Sequence, residues 1–350
     1  MGAVPESVML GGGFYSRHSQ PQRAAARAAD AWLVEAATAV PLPEAPTPLL
    51  IGDFGCAGGA NEMAPMAAAV DAIRARNGAV PVEVAHTDLP ENDFGPLFAL
   101  LESPDGYPAG RTGVYPYVVG RTLYGPLFPD RRLHLGWSAI TLHWLSESPA
   151  GVPGRTYPNL MSAEQVEPFR ARAEQDWRLF LAERARELVD GGELVIVAGA
   201  SRPDGTSGAE GLFTMIDEEL AALVAAGTLR PQESERIVYP TYNRTPAEWT
   251  APVAECGFDL LATELSHTDD AETYGGTADG AAFAERYLPF VRAVTERPFF
   301  RWLDPDRTDQ QRTEILEAFY GGLAARIAAD PASAACRWHV VSLRLRRKPR

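Results

Sequence analysis

The chain has 350 residues, 46% hydrophobic and 22% charged, enough to bury one large core or a core with a substantial added lobe. Its 46 acidic residues against 32 basic ones leave a formal net charge of −14, with Lys348 the single lysine. Such a surface repels phosphate backbones and anionic lipid, which argues against nucleic-acid and membrane-surface partners.

In chain order, Pro21–Thr38 reads as a helix with its alanine and apolar positions on one face. Leu49–Phe54 is a short apolar run ending in glycines, the mark of a buried strand, and alanine-rich Asn61–Ala75 reads as the helix after it. Val80–His86, Tyr115–Val119 and Leu133–Ile140 read as further strands. Gln165–Val189 is a long helix, ended by Gly191-Gly192, and Glu193–Ala198 is the next strand. After Gly199 the rhythm changes. Thr214–Ala226 is helical, mixed signals run from Pro246 to Leu265, and a helical, aromatic stretch reaches about Leu303. Asp309–Ala329 is a helix and Trp338–Leu345 a strand. Strands alternating with helices predict an α/β fold, a doubly wound parallel sheet covered on both faces. The expected division is a core over 1–200, a lid insertion over 201–245, a return to the core over 246–265, lid helices over 266–308, and a core helix and strand over 309–350. The acidic runs Asp217-Glu218-Glu219 and Asp269-Asp270 read as solvated charge.

Cys56, Cys256 and Cys336 are too few and too scattered for a disulfide framework or a paired zinc pattern. The histidines have no metal-like spacing with them, so no metal site is expected. The first thirteen residues lack the basic segment and apolar stretch of a signal peptide, and no apolar run approaches the ~18 residues of a membrane span. The expectation is a soluble, cytoplasmic protein.

Asp53-Phe54-Gly55-Cys56-Ala57-Gly58-Gly59-Ala60-Asn61 leaves a strand and enters a helix. Glycines there let the backbone approach a ligand, and a helix amino terminus supplies free N–H groups. The spacing is not the Gly-x-Gly-x-x-Gly that holds a pyrophosphate, which weighs against a nicotinamide dehydrogenase. Asp53 at the strand end suits instead a ligand carrying an ammonium or a sulfonium. Asp88, after the next strand, is the expected acceptor for ribose hydroxyls.

The chain resembles the SABATH family of S-adenosylmethionine-dependent carboxyl methyltransferases, and the likeness runs nearly end to end. It rests on Met9–Ser19 continuing to Gln22, on Ile51–Asn61, on Asp88-Leu89-Pro90-Glu91-Asn92-Asp93-Phe94, on Leu123–Pro129, and on Leu142-His143-Trp144-Leu145-Ser146-Glu147-Ser148-Pro149. The resemblance implies a Rossmann-like core with an α-helical cap, S-adenosyl-L-methionine as cofactor, a small carboxylic acid as substrate and a homodimer. It implies that Tyr15, Ser19, Asp53, Gly55 and Asn61 surround the methionine part of the cofactor. Asp88 would take the ribose, with Leu89, Thr122 and Leu123 against the adenine. Gln22 and Trp144 would hold the acceptor's carboxylate, and Ile140, His143, Phe213, Met215 and Tyr242, with Tyr239 and Phe290, would line its pocket.

The chemistry asks for such donors. A methyl transfer needs one carboxylate oxygen aligned behind the methyl group, and neutral donors can hold the other without cancelling the nucleophile's charge. A carboxylic acid is already ionised at neutral pH, so no general base is required. Alignment can supply roughly 7–11 kcal/mol of the barrier. Leu10 and Trp137 stand where salicylate-type relatives carry lysine and histidine, which disfavours salicylate itself and favours a flat or lipophilic acid. The expected activity is O-methylation of a small aromatic or lipophilic carboxylic acid to its methyl ester. The alternative keeps the cofactor and methylates a nitrogen, a phenol oxygen or a carbon of a small secondary metabolite.

Overall fold

Leu49–Phe54 forms strand β1 with all six residues buried, as a run without polar alternation must when helices cover both faces of a sheet. The computed structural model describes Phe14 and residues 18–349. Around β1, parallel pairing adds β2 (Val82–Asp88) on one side and β4 (Leu133–Ala139) on the other. β3 (Val114–Gly120) extends the sheet beyond β2, and β5 (Leu188–Gly199) beyond β4. Beyond β5, β7 (His339–Arg347) runs antiparallel, followed by β6 (Phe258–His267) at the edge. Among the described residues the order is therefore β3-β2-β1-β4-β5-β7-β6. Chain direction across the sheet reverses between β1 and β4, and a doubly wound sheet opens a crevice at the carboxyl ends of its strands at such a point.

One face of the sheet is covered by α1 (Gln20–Ala26), α2 (Asp30–Ala39), α3 (Met63–Arg76) and α4 (Gly95–Leu101). Leu33, Met66, Val70 and Leu97 meet Ile51, Val84, Leu135 and Val197 there. The run expected as one helix over Pro21–Thr38 is two, because Arg27–Ala29 winds as a 3-10 turn and Ala29 leaves helical geometry (φ −113°, ψ 7°). The opposite face is covered by α5 (Ala163–Glu187), which opens on a Ser162–Gln165 capping box and packs Trp177, Phe180 and Leu181 against Phe54, Leu194 and Ile196. Gly191-Gly192 does not end this helix. It stops at Glu187, whose carboxylate is buried against Arg184, and Leu188 already belongs to β5. The glycines lie inside the strand, with Gly191 at φ +78°, beside a register shift against β4 between Leu133 and Leu135.

A cap with its own core is built from the second half of the chain. Among its helices are α6 (Glu210–Ala225) and α7 (Pro231–Arg236); the short α8 (Pro246–Thr250) lies with the sheet and brings Trp249 against Trp177. After β6 come α9 (Asp270–Thr273), α10 (Gly280–Phe300), α11 (Asp309–Ala329) and α12 (Pro331–Ala334). The helix over Asp309–Ala329 was expected on the core and packs in the cap instead. Ile315, Phe319, Leu323 and Ile327, four residues apart, form one stripe that meets Tyr287, Val291 and Phe299 of α10 and Ile216 and Leu220 of α6. From the stretch 309–350, only β7 joins the sheet.

Two acidic runs expected in solvent are partly internal. Asp217 accepts from the Thr156 backbone N–H (2.9 Å) and hydroxyl (2.7 Å), and Glu219 pairs with Arg326 at 2.8 Å. Asp270 is fully buried and accepts from the Tyr287 hydroxyl (2.7 Å) and the Trp338 indole (2.9 Å). Burial raises its carboxyl from 3.8 to about 7, against the pull of those two donors. Folded protein therefore holds this proton over a range where unfolded chain has lost it, and the group's contribution to stability falls as pH rises from about 4 to about 7. Asp270→Asn keeps a carbonyl acceptor without the charge. Its stability relative to the parent is expected to increase between pH 4 and pH 8 in urea titrations; a pH-independent difference would show that Asp270 stays ionised when buried.

Candidate active site

The crevice at the switch point is a cavity of about 430 Å³. Its floor is the turn after β1. Gly55 (φ +88°) and Gly59 (φ +79°) adopt left-handed backbone, and a Cβ at either would overlap Thr141 or Leu97, so only glycine lets this loop lie so low. The turn is held from the next strand end. Asp88 Oδ2 accepts from the Ala57 N–H at 2.7 Å, Oδ1 from the Leu89 N–H at 2.8 Å, and the Asn92 amide donates to the Ala57 carbonyl at 2.9 Å. The start of α1 closes another wall, where the Asn61 amide donates to Ser19 Oγ (3.2 Å) and Arg23 donates to Asn61 Oδ1 (3.1 Å).

Ser19, Gln22, Gly55, Asn61, Asp88, Leu89, Thr122, Leu123, Ile140 and Trp144, ten of the residues singled out from the sequence, line this cavity together. Tyr15 lies outside the described residues. Asp53 sits one layer behind the wall, buried, accepting from His86 Nδ1 at 2.7 Å while His86 Nε2 meets the Tyr107 hydroxyl at 3.0 Å. Burial lowers His86 to about 4, so the ring is neutral; it donates through Nδ1 and accepts from Tyr107 through Nε2. Burial, with Asp88 nearby, pushes the Asp53 carboxyl well up. No arginine or lysine pairs with Asp53, Glu62 or Asp88 among the described residues.

A second cavity, about 70 Å³, adjoins the first and shares Gln22, Ile140 and Trp144 with it. Ile140 at that junction has φ +55°, a costly conformation for a β-branched residue, and its N–H is held by the Val197 carbonyl at 2.7 Å. Trp144 is fixed through its backbone. It bridges to Thr241, flanked by Leu145 N–H to Pro240 O and Tyr242 N–H to His143 O, both 2.9 Å, and its own carbonyl accepts from the Tyr124 hydroxyl at 2.6 Å. Its ring packs on Tyr239 at 4.9 Å, and its indole N–H has no partner among the described residues. Gln22 is buried and its Oε1 is unpartnered.

His143 and Phe290 line the second cavity, as does Tyr239. The Gly199 N–H donates to His143 Nδ1 at 3.1 Å, which leaves the proton on Nε2, and burial with the Arg244 charge lowers the ring to about 3. Phe213, Met215 and Tyr242 line neither cavity. Phe213 stacks on Tyr157 (3.9 Å, 9°) and Met215 is buried in the same cap cluster, while Tyr242 donates its hydroxyl to Glu248 at 2.9 Å. Trp137, taken as a pocket substitution, is wholly buried in β4 and donates to Glu62 at 2.7 Å. Glu62, Asn92, Asn243 and Trp302 line the cavities and were not singled out. Asn92 lay within a motif already read, and Glu62 beside one; Asn243 and Trp302 are brought in only by the cap.

The donor set fits a nucleoside carrying a cationic amino-acid group. The Asp88 carboxylate braces the floor, a poor setting for a pyrophosphate even though Arg121 and Arg301 also line the cavity, and Leu89 and Leu123 offer an apolar surface to a base.

Comparison with known proteins agrees. The family described as SAM dependent carboxyl methyltransferase matches residues 9–328. Over 329 residues the chain is 29% identical to gibberellic acid methyltransferase 2 of Arabidopsis thaliana, covering 83% of this chain and 82% of that protein. It is 26% identical over 271 residues to salicylate carboxymethyltransferase of Clarkia breweri, covering 71% and 73%. The solved structure of loganic acid methyltransferase with S-adenosylhomocysteine shares the fold, with a TM-score of 0.79, 22% identity and coverage of 97% and 99%. With a family match over almost its whole length, the chain belongs to the SABATH S-adenosylmethionine-dependent carboxyl methyltransferases.

Proposed function

We propose that this enzyme converts a small aromatic or other lipophilic carboxylic acid to its methyl ester, with Gln22 and Trp144 holding the acceptor's carboxylate. The observation that carries this reading is the junction of the two cavities. The buried Gln22 amide, whose Oε1 has no partner and which by turning over can present its NH2 instead, meets the Trp144 indole there, and among the described residues no aspartate, glutamate, lysine or arginine lines the smaller cavity beyond them. Neutral donors in a dry, apolar pocket suit an anion that must stay nucleophilic.

When bound, S-adenosylmethionine supplies an electrophilic methyl group on a sulfonium. Ser19, Asn61, Asp88 and Leu89 would hold it against the glycine turn, and Asp53 would act from behind that wall. Gln22 and Trp144 would orient the acceptor, and the cap would keep water from the carboxylate. His143 offers no lone pair, since Nδ1 is taken by Gly199 and Nε2 carries the proton. It would serve as a neutral donor, which favours an acceptor that arrives already ionised over a phenol or an amine that must lose a proton. Lipophilicity would be set by Ile140, Tyr239 and Phe290.

Incubation with methyl-labelled cofactor and a panel of aromatic and aliphatic acids is expected to give methyl esters that mild base cleaves. Products stable to base would overturn the carboxylate assignment. A homodimer working in the cytoplasm belongs to the same proposal, and light scattering at the working concentration tests the assembly. Among the described residues no helix is long and apolar enough to cross a membrane.

A further inference from the structure

The amino-acid end of the cofactor cavity carries a carboxylate with no role so far. Glu62 stands just before α3, next to Asn61, and is 6% exposed while lining the cavity. Its Oε2 accepts from the Trp137 indole at 2.7 Å, and Trp137 is locked in β4 directly opposite Asp53 of β1. One carboxylate oxygen is thus pinned to the sheet. The other has no partner among the described residues, and Glu62 lines the cavity.

The cavity has two chemically different ends. At one, Asp88, Leu89 and Leu123 present carboxylate oxygens beside apolar surface, as a ribose and its base require. At the other are Ser19, Asn61 and Glu62, with Asp53 behind them. Asp53 on β1, His86 on β2 and Asp30 on α2 act on Glu62; of these only His86 is basic, and it is neutral. Arg23 is bonded to the neighbouring Asn61, and Arg121 and Arg301 line the same cavity, but among the described residues none of the three pairs with Glu62. A carboxylate taken out of water next to a second one, with no arginine or lysine paired to either among the described residues, is costly unless a ligand brings the positive charge. We infer that Glu62 is a cofactor-binding residue whose carboxylate receives the ammonium group of the cofactor's amino-acid part. The ammonium is the cofactor's only cationic hydrogen-bond donor; the sulfonium has no N–H or O–H to give. Burial and the Asp53 charge push the Glu62 carboxyl well up, against the Trp137 donor, so an arriving ammonium would also favour its ionised form.

This inference rests on the cofactor assignment and not on the acceptor. Its test is therefore binding by the full chain, measured by calorimetry with S-adenosylhomocysteine and with its deamino analogue, which keeps the carboxylate and lacks the ammonium. Glu62→Gln keeps the size and a carbonyl for Trp137. It is expected to weaken S-adenosylhomocysteine at least tenfold and to leave the analogue within about threefold or bind it better. Glu62→Asp should fall between the parent and the glutamine variant. Thermal melting of the free protein separates a folding defect from a binding one, because removing a buried unpaired charge should leave the free variant as stable as the parent or more so. Equal weakening of both ligands, no weakening of either, or no binding of S-adenosylhomocysteine by the parent would overturn the inference. A protein that binds as expected but forms no methyl ester would sink the proposed acceptor and leave Glu62's role standing.

Discussion

Trp144→Phe is expected to lower kcat/KM for the acid acceptor roughly 10- to 150-fold, with S-adenosylhomocysteine affinity nearly unchanged. A hydrogen bond to a charged group contributes about 1.5–3 kcal/mol, and each ~1.4 kcal/mol is a factor of ten. Phenylalanine keeps an aromatic ring against Tyr239, where the rings lie 4.9 Å apart, and removes the indole N–H together with one ring of the bicycle. Gln22→Leu should act in the same direction. The double variant should lose less than the product of the two, because both donors grip one group and removing the first already frees it to shift. Steady-state kinetics with saturating cofactor decides this. An unchanged kcat/KM in Trp144→Phe would mean that the carboxylate is not held at the cavity junction.

The second large effect is on stability. Arg184 is fully buried, lies over the rings of Phe54 and Phe180 at 5.0 and 5.2 Å, and pairs with fully buried Glu187 at 2.8 Å. Its guanidinium also donates to the carbonyls of Leu123 (3.0 Å) and Gly125 (2.8 Å), while Glu187 accepts from the N–H groups of Leu127 (2.6 Å) and Phe128 (3.1 Å). Two charges from the end of α5 thereby tie down the loop that carries Leu123 into the larger cavity. Arg184→Met fills the space yet strands the Glu187 charge, and about 3–5 kcal/mol of stability should be lost in urea unfolding. Adding Glu187→Gln should restore part of it, because the stranded charge is then gone. A loss below about 1 kcal/mol in the single variant would show that Glu187 is protonated or hydrated after the change.

Much of this was legible in the sequence because the relevant residues lie in unbroken stretches. Leu49–Asn61 contains a whole strand, its glycine turn and Asn61; Asp88–Phe94 contains Asp88 and Asn92, which brace that turn, and Leu89, which lines the larger cavity; Leu142–Trp144 brings His143 and Trp144 to the smaller cavity. What stayed hidden depends on distant segments meeting. Glu62 and Trp137 are 75 residues apart, and His86 finds Asp53 only because β1 and β2 pair in one register. Composition misled where polar residues face inward. Asp217 and Asp270 sit in acidic runs that look like surface, yet each is matched by donors from another element. The cap was the least legible part. Its helices are amphipathic toward one another, so aromatic content alone could not tell Phe213, stacked on Tyr157 in the cap core, from Phe290, which lines the smaller cavity.

The strand-like contact between the Trp144 segment and Thr241 has a kinetic corollary. The indole that would align the acceptor is anchored to the 239–242 stretch, and that stretch also carries Tyr239, a wall of the smaller cavity. On the proposed acceptor site, admission of an acid and its alignment would share one latch. An acceptor too large for the space beside Tyr239 would be accommodated only by loosening the backbone that holds the donor, so bulky acids would be slowed in turnover and not merely bound less tightly. Discrimination among acids would then appear in kcat as well as in KM.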